Sequence, residues 1–161
     1  MNQILQRMLR KIAYIAPGGY SIRPYLHSLR GVQIGKCVWI SQYVYIDEIH
    51  PEVITIGDNC TIGIGAMLIS HMYWGPRGSD KPGDIIIEPD VFIGPNCVIM
   101  PNTRIGRGSV IQAGTVVSRN VPASVLWGLP KAGPLAHVTV PLTHKTKLDD
   151  FIRGLKSFKT G

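Results

Sequence analysis

Among the five histidines of this chain, His71 is the one whose surroundings suggest chemistry. It ends the run Met67-Leu68-Ile69-Ser70-His71. From there the chain enters Met72-Tyr73-Trp74-Gly75-Pro76-Arg77-Gly78-Ser79-Asp80-Lys81-Pro82-Gly83, whose glycines, prolines and charges predict a surface loop. An imidazole titrates near neutrality and suits the removal of a proton from a hydroxyl during attack. Loops held by rigid scaffolds often carry function; the plainer alternative is a structural histidine. A nucleophile is not evident. There is no Gly-x-Ser-x-Gly motif, and none of the three cysteines stands beside a sequence-evident base.

The scaffold that positions this histidine is legible as a repeat. Ile87, Ile93, Ile99, Ile105, Ile111 and Val117 recur every six residues between Ile87 and Pro122. That period is neither a helix face nor strand alternation. It predicts a parallel β-helix, an all-β fold in which each hexapeptide sends one aliphatic side chain into a narrow core. Upstream, Ile34, Ile40 and Ile46, then Ile56, Ile62 and Leu68, keep the register. Four extra residues separate these two triplets, and thirteen separate Leu68 from Ile87. The twelve hexapeptides make four coils of three short strands. Their fourth position is Gly, Asn or Asp in eight of twelve, residues that tolerate a left-handed backbone at a corner. The fifth is often small, as at Cys60, Ala66, Cys97, Thr103, Ser109 and Thr115, which suits an interior corner.

The same arithmetic stacks Ile46 on Leu68, so the insertion after Ile46 lies one coil below the histidine loop. It contains or borders Asp47, Glu48, His50 and Glu52. A catalytic histidine needs an orienting acceptor, and Asp47 and Glu48 are the expected partners of His71. The alternative for both is a solvated loop carboxylate.

The 161 residues are expected to form a single domain. Residues 1–16 hold an N-terminal helix, 30–122 the β-helix with its loop 71–84, and 123–161 a C-terminal extension. In the helix, Ile4, Leu5, Met8, Leu9 and Ile12 make one apolar stripe, with Arg7, Arg10 and Lys11 on the polar side. Such a stripe packs on the β-helix end or on a neighbouring subunit, or rests on a membrane surface. Pro17-Gly18-Gly19 ends the helix, and residues 20–33 read as an irregular lead-in. Residues 123–142 are expected to leave the repeat, with Pro130, Pro134 and Pro141 keeping them extended. A last helix is expected from about Lys145, with Leu148, Phe151, Ile152 and Leu155 at helical spacing and Thr146 with Asp149 as a capping box. It would cover the open edge of the β-helix.

The formal net charge of +7 favours anionic partners, either a phosphorylated cosubstrate or an anionic membrane surface. Nucleic acid is not expected, because the chain has no zinc-finger spacing, RNA-recognition signature or long basic run. Cys37, Cys60 and Cys97 read as small corner or core residues without metal-ligand spacing, which suits a reducing compartment. Arg7, Arg10 and Lys11 interrupt the only apolar N-terminal segment, and no run of about eighteen apolar residues exists. A cytoplasmic location is expected.

This repeat resembles that of the hexapeptide-repeat acyltransferases, which fold as left-handed parallel β-helices. The resemblance covers residues 30–135. Val91-Phe92-Ile93-Gly94 and Ile111-Gln112-Ala113-Gly114-Thr115-Val116-Val117 are similar to segments of the galactoside- and maltose-type sugar O-acetyltransferases. Those enzymes place a catalytic histidine in a loop entered from this part of the β-helix. They often read Gly-His-Pro or His-Asp where this chain reads Ser70-His71-Met72. The resemblance implies transfer of acetyl from acetyl-coenzyme A to a hydroxyl of a sugar or polysaccharide precursor, within a homotrimer and without metal. It implies coenzyme A contacts at Phe92, Gly94, Ala113 and Gly114. Ser118 and Arg119 match a Thr-Lys pair on the next strand. Lys131 falls beside the family's Gly-x-Pro segment, its basic residue moved one place.

Other readings stay open. An N-acetyltransferase would acetylate an amino sugar or antibiotic. A non-catalytic β-helix would bind a partner, but the regular threonine ladder of ice-binding versions is missing. A zinc-dependent carbonic anhydrase of this fold would carry a His-x4-His pair, which this chain does not have.

Overall fold

The computed structural model describes residues 3–71, 82–129, 136–141 and 147–157. The chain forms two compact units, Met1–Gly128 and Leu129–Gly161. Isoleucine is stiff at its branched Cβ and favours extended backbone, and each repeat isoleucine of the first unit sits in or ends a two- or three-residue strand. The first coil holds β1 (Gln33–Ile34), β2 (Trp39–Ile40) and β3 (Tyr45–Ile46), and the second β4 (Ile54–Ile56), β5 (Thr61–Ile62) and β6 (Met67–Leu68). The third holds β7 (Ile85–Ile87), β8 (Phe92–Ile93) and β9 (Val98–Ile99), and the fourth β10 (Thr103–Ile105), β11 (Val110–Ile111) and β12 (Val116–Val117).

Equivalent strands of successive coils pair in parallel and make three sheets. The first runs β1-β4-β7-β10 and the third β3-β6-β9-β12. The second runs β2-β5-β8-β11 and ends on β13 (Leu126–Trp127). The register stacks the repeat isoleucines: Ile34 on Ile56, Ile87 and Ile105; Ile40 on Ile62, Ile93 and Ile111; Ile46 on Leu68, Ile99 and Val117. All of these except the terminal Ile34 are at most 1% exposed. Burying each such side chain contributes about 1.5–3 kcal/mol.

The corners follow the fourth position. Cys37, Tyr43, Asn59, Gly65, Asp90, Asn96, Asn102, Gly108 and Gly114 have φ between +54° and +74°. Cys60, Ala66, Cys97, Thr103, Ser109 and Thr115 of the fifth position are buried. Burial raises the thiol pKa of Cys60 and Cys97, as expected of packing residues. Ile49, His71 and Asn120 do not adopt the left-handed corner, and all three follow strands of the third sheet. After Val117 the chain cuts its turn short: Val121, four residues on, bridges to Ile105. Ser124 then takes the positive φ, 59°, and Ile111 pairs with Trp127. Residues 123–127 therefore continue the repeat into a fifth coil rather than leaving it. The two-residue shortening hides this from a six-residue ruler. Asn120 instead accepts the Arg104 N–H at 2.8 Å.

The N-terminal segment brings two further corrections. Helix α1 (Gln3–Ile15) buries Ala13, and Ala16 just beyond its end, while Ile4, Leu5, Met8 and Ile12 stay exposed. Its apolar stripe is thus not the face seated on the chain's own fold. Residues 20–33 are not irregular: α2 spans Ile22–Leu29. It buries Arg23, Pro24 and His27 and exposes Ile22, Tyr25 and Leu29, an inverted pattern that apolar periodicity does not reveal. Arg23 is held by the carbonyls of Ala16 and Ile40.

In the second unit, β14 (Ala136–Val138) pairs antiparallel with β15 (Leu155–Ser157), and α3 spans Leu148–Arg153. The last helix is shorter than expected: Lys147 precedes it with no side-chain cap bond, and Leu155 lies in β15. Thr146 of the expected capping box lies outside the described residues.

Candidate active site

Asp47 follows β3 and His71 follows β6, neighbours in the third sheet, so both chains leave the prism at one edge. Asp47 is fully buried, and each carboxylate oxygen meets donors. Oδ1 accepts the N–H groups of Ile49 at 2.9 Å and His50 at 3.2 Å. Oδ2 accepts those of Ser70 at 2.8 Å and His71 at 3.2 Å, and lies 2.6 Å from His71 Nδ1. Burial alone would raise the pKa of this carboxyl. The donors from Ile49, His50, His71 and Ser70 outweigh it and hold the pKa below the ordinary value. Asp47 is therefore an anion fixed by the backbone of two coils, with one oxygen against the imidazole.

Glu48, the other acidic candidate, is engaged elsewhere: its carboxylate lies 3.2 Å from Arg10 Nε of α1. His50 stands beside the pair, its ring centroid 6.3 Å from that of His71 and its Nδ1 3.1 Å from Glu52 Oε1. Ser70 Oγ donates to the His50 carbonyl at 3.1 Å and ties the two insertions together.

Sequence reasoning missed the support beneath Asp47. Arg30, at the end of α2, is 1% exposed. Its guanidinium donates to the carbonyls of Ile46 and Asp47 and to His27 Nδ1 at 2.9 Å. Burial and the Arg30 charge hold the His27 pKa down at about 3, so His27 is neutral and accepts from the guanidinium. The signal was faint: one arginine before a glycine in a segment with no apolar period.

The residues expected to touch coenzyme A fall into two groups. Phe92 is exposed on β8. Gly94, Ala113 and Gly114 form corners between the second and third sheets. A Cβ on Gly94 would come within 2.6 Å of the Ala113 nitrogen, so glycine is what lets these two corners stack. Ser118 and Arg119 follow β12 and lie exposed on the other edge of the third sheet, the edge of Asp47 and His71. The Arg119 guanidinium lies 5.7 Å from the Trp127 ring centroid. The two edges are separated by one hexapeptide, at most ~20 Å of extended chain. Lys131 and residues 72–81 of the loop lie outside the described residues.

Comparison with known proteins agrees with this architecture. Residues 84–119 match the family model of the bacterial transferase hexapeptide (six repeats), and residues 53–70 that of the hexapeptide repeat of succinyl-transferase. The chain is 30% identical over 127 residues to YvoF of Bacillus subtilis (strain 168), a protein named as a presumptive acetyltransferase; the match covers 79% of this chain and 70% of the relative. Among solved structures, a hexapeptide-repeat acetyltransferase of Vibrio cholerae O1 biovar eltor, complexed with acetyl coenzyme A, superposes with a TM-score of 0.64 at 24% identity, over 78% of this chain and 81% of that one. A maltose O-acetyltransferase of Clostridium difficile 630 gives 0.54 at 19% identity, over 76% and 79%. The fold is that of the left-handed parallel β-helices.

Proposed function

Because the chain belongs to the hexapeptide-repeat acyltransferase family, we propose that it transfers acetyl from acetyl-coenzyme A to a hydroxyl of a sugar or polysaccharide precursor, with His71 as general base. The observation that carries this reading is the 2.6 Å contact between His71 Nδ1 and the buried Asp47 carboxylate. An anion at that position holds the Nδ1–H tautomer, so the lone pair of the neutral ring sits on Nε2.

The reaction follows from that tautomer. Nε2 takes the proton as the acceptor hydroxyl oxygen attacks the thioester carbonyl carbon. The tetrahedral oxyanion collapses, the carbon–sulfur bond breaks, and the leaving thiolate takes the proton back from the imidazolium. Asp47 stabilises the transient cation without itself being protonated. Direct transfer in a ternary complex needs no protein nucleophile. The buried Cys60 and Cys97, whose thiol pKa values are raised, are poorly suited to be one.

Coenzyme A is proposed to lie along the corners of Gly94, Ala113 and Gly114, with Arg119 attracting its phosphates. These corners and His71 occupy opposite edges of the third sheet. A homotrimer in which the corner edge of one chain faces the His71 edge of the next would join them, as cyclic symmetry permits. The acceptor is a small molecule or glycan.

The test is acetyl transfer from acetyl-coenzyme A across a panel of sugars and amino sugars, with parent and His71→Ala compared on the best acceptor. A general base contributes about 10²–10⁴-fold, so the variant is expected to lose turnover by that order while still binding coenzyme A. Acetylation confined to amines, or a folded His71→Ala variant with parental turnover, would overturn the reading.

A further inference from the structure

The charge of the chain is unevenly placed. Arg7, Arg10, Lys11, Arg23, Arg30 and Lys36 all precede Asp47, which is the first acidic residue in the sequence. Arg23 and Arg30 are buried on backbone carbonyls, and Arg10 meets Glu48. Arg7, Lys11 and Lys36 are exposed. Glu48 thus offsets Arg10 and the Asp58 carboxylate stands beside Lys36, whereas Arg7 and Lys11 have no ion-pair partner among the described residues and leave the exposed side of α1 cationic.

Helix α1 adds an apolar face to that surface. It turns Ala13 inward and half-buries Gln6, Leu9 and Arg10. Leu5, Met8, Ile12 and Ile15 are 46%, 55%, 49% and 63% exposed. At about 100° per residue these four fall within a stripe about 80° wide, with Lys11 and Arg7 along one border. A helix that buries alanines and leaves its large aliphatics outside gains little from its own fold. Helix α2, packed beside it, exposes Tyr25 and Leu29, and Tyr20 in the connection is also exposed. Tyrosines of this kind suit a boundary that is apolar on one side and wet on the other.

We propose that α1 rests on an anionic membrane surface. Leu5, Met8, Ile12 and Ile15 enter the boundary between headgroups and acyl chains, and Arg7 and Lys11 meet lipid phosphates. The charge pattern selects this occupant. The same stripe of a second copy would bring its own basic border and no acid from the first 46 residues, so like charges would face each other. No helix of the described residues is long and apolar enough to cross a membrane, so the contact is a surface one. The inference does not depend on the acetyl-transfer reading.

The experiment is flotation of the full chain with vesicles of phosphatidylcholine, with and without phosphatidylglycerol, across a salt series. The parent is expected to float with phosphatidylglycerol vesicles at low salt, and to release as salt screens the charges. Basic residues near such a surface strengthen its attraction, so Arg7→Glu/Lys11→Glu should weaken partition by at least about tenfold. Met8→Glu/Ile12→Glu should abolish it while leaving the thermal melt and the solution mass unchanged. Failure of the parent to float, or flotation of both folded variants like the parent, overturns the proposal. A changed solution mass in Met8→Glu/Ile12→Glu also overturns it, because the stripe would then be an interface between copies.

Discussion

Replacing Asp47 by asparagine keeps its shape and removes its charge, which isolates what the carboxylate does. Five donors converge on its two oxygens: the N–H groups of Ile49, His50, Ser70 and His71, and His71 Nδ1. An amide offers one oxygen and one donor group. If the NH₂ takes the Oδ1 place, it confronts Ile49 and His50. If it takes the Oδ2 place, it confronts Ser70 and His71, and the ring must accept at Nδ1. That second arrangement protonates Nε2 and removes the base. Each buried donor left unmatched costs about 1–3 kcal/mol, so two of them cost about 2–6 kcal/mol of stability. Losing the orienting anion should lower turnover by about 10²–10⁴-fold, the range for a general base, or about 3–5 kcal/mol of barrier. The assay is kcat at saturating acetyl-coenzyme A with a working acceptor, at a temperature where a melt shows Asp47→Asn folded. The double variant His71→Ala/Asp47→Asn should be no slower than His71→Ala, because residues acting as a unit are not additive. A folded Asp47→Asn enzyme within about threefold of the parent, or a double variant far slower than His71→Ala, would refute the reasoning.

The remaining outcomes test other parts of the structure. His27 has its pKa lowered from 6.5 to about 3 in the fold, so its contribution is full above 6.5 and is lost as pH falls toward the folded value. Between about pH 7 and about pH 5 this should remove about 2 kcal/mol, seen in urea melts and flattened in His27→Gln; equal slopes for parent and variant would count against it. Asp47 has the opposite charge type and the same sign: its depressed pKa adds stability above the ordinary carboxylate range that disappears in stronger acid. At the corners, a side chain on Gly114 meets open space but sits at φ 74°, so Gly114→Val should cost about 1–3 kcal/mol through strain alone. Gly94→Ala would instead drive a Cβ to 2.6 Å from the Ala113 nitrogen and prise the coils apart; melts of both variants that match the parent would contradict the corner geometry. For the assembly, light scattering should give a trimeric mass. Co-expressed His71→Ala and Ala113→Trp chains should recover activity that neither has alone, and no recovery would argue against a site shared between chains.

The β-helix was written in the sequence because its code is local and repeated. One aliphatic every six residues sets a core stack, and Gly, Asn or Asp at the fourth position sets a corner, whatever lies far away along the chain. The stack of Ile46 on Leu68 followed from counting alone, and with it the meeting of two insertions at one edge. Counting could not choose between Asp47 and Glu48. Adjacent residues leaving a strand face different ways, and the choice came from backbone donors on two coils and from Arg10 on α1, which claims Glu48. Nor could it find Arg30 and His27, which are buried polar residues on a helix whose apolar side faces out. The fifth coil was hidden by a turn two residues short, a local exception to the period that only the pairing of Val121 with Ile105 makes visible. Periodic burial is readable from one dimension. A charge held by backbone N–H groups from two coils is decided only when the chain has closed around it.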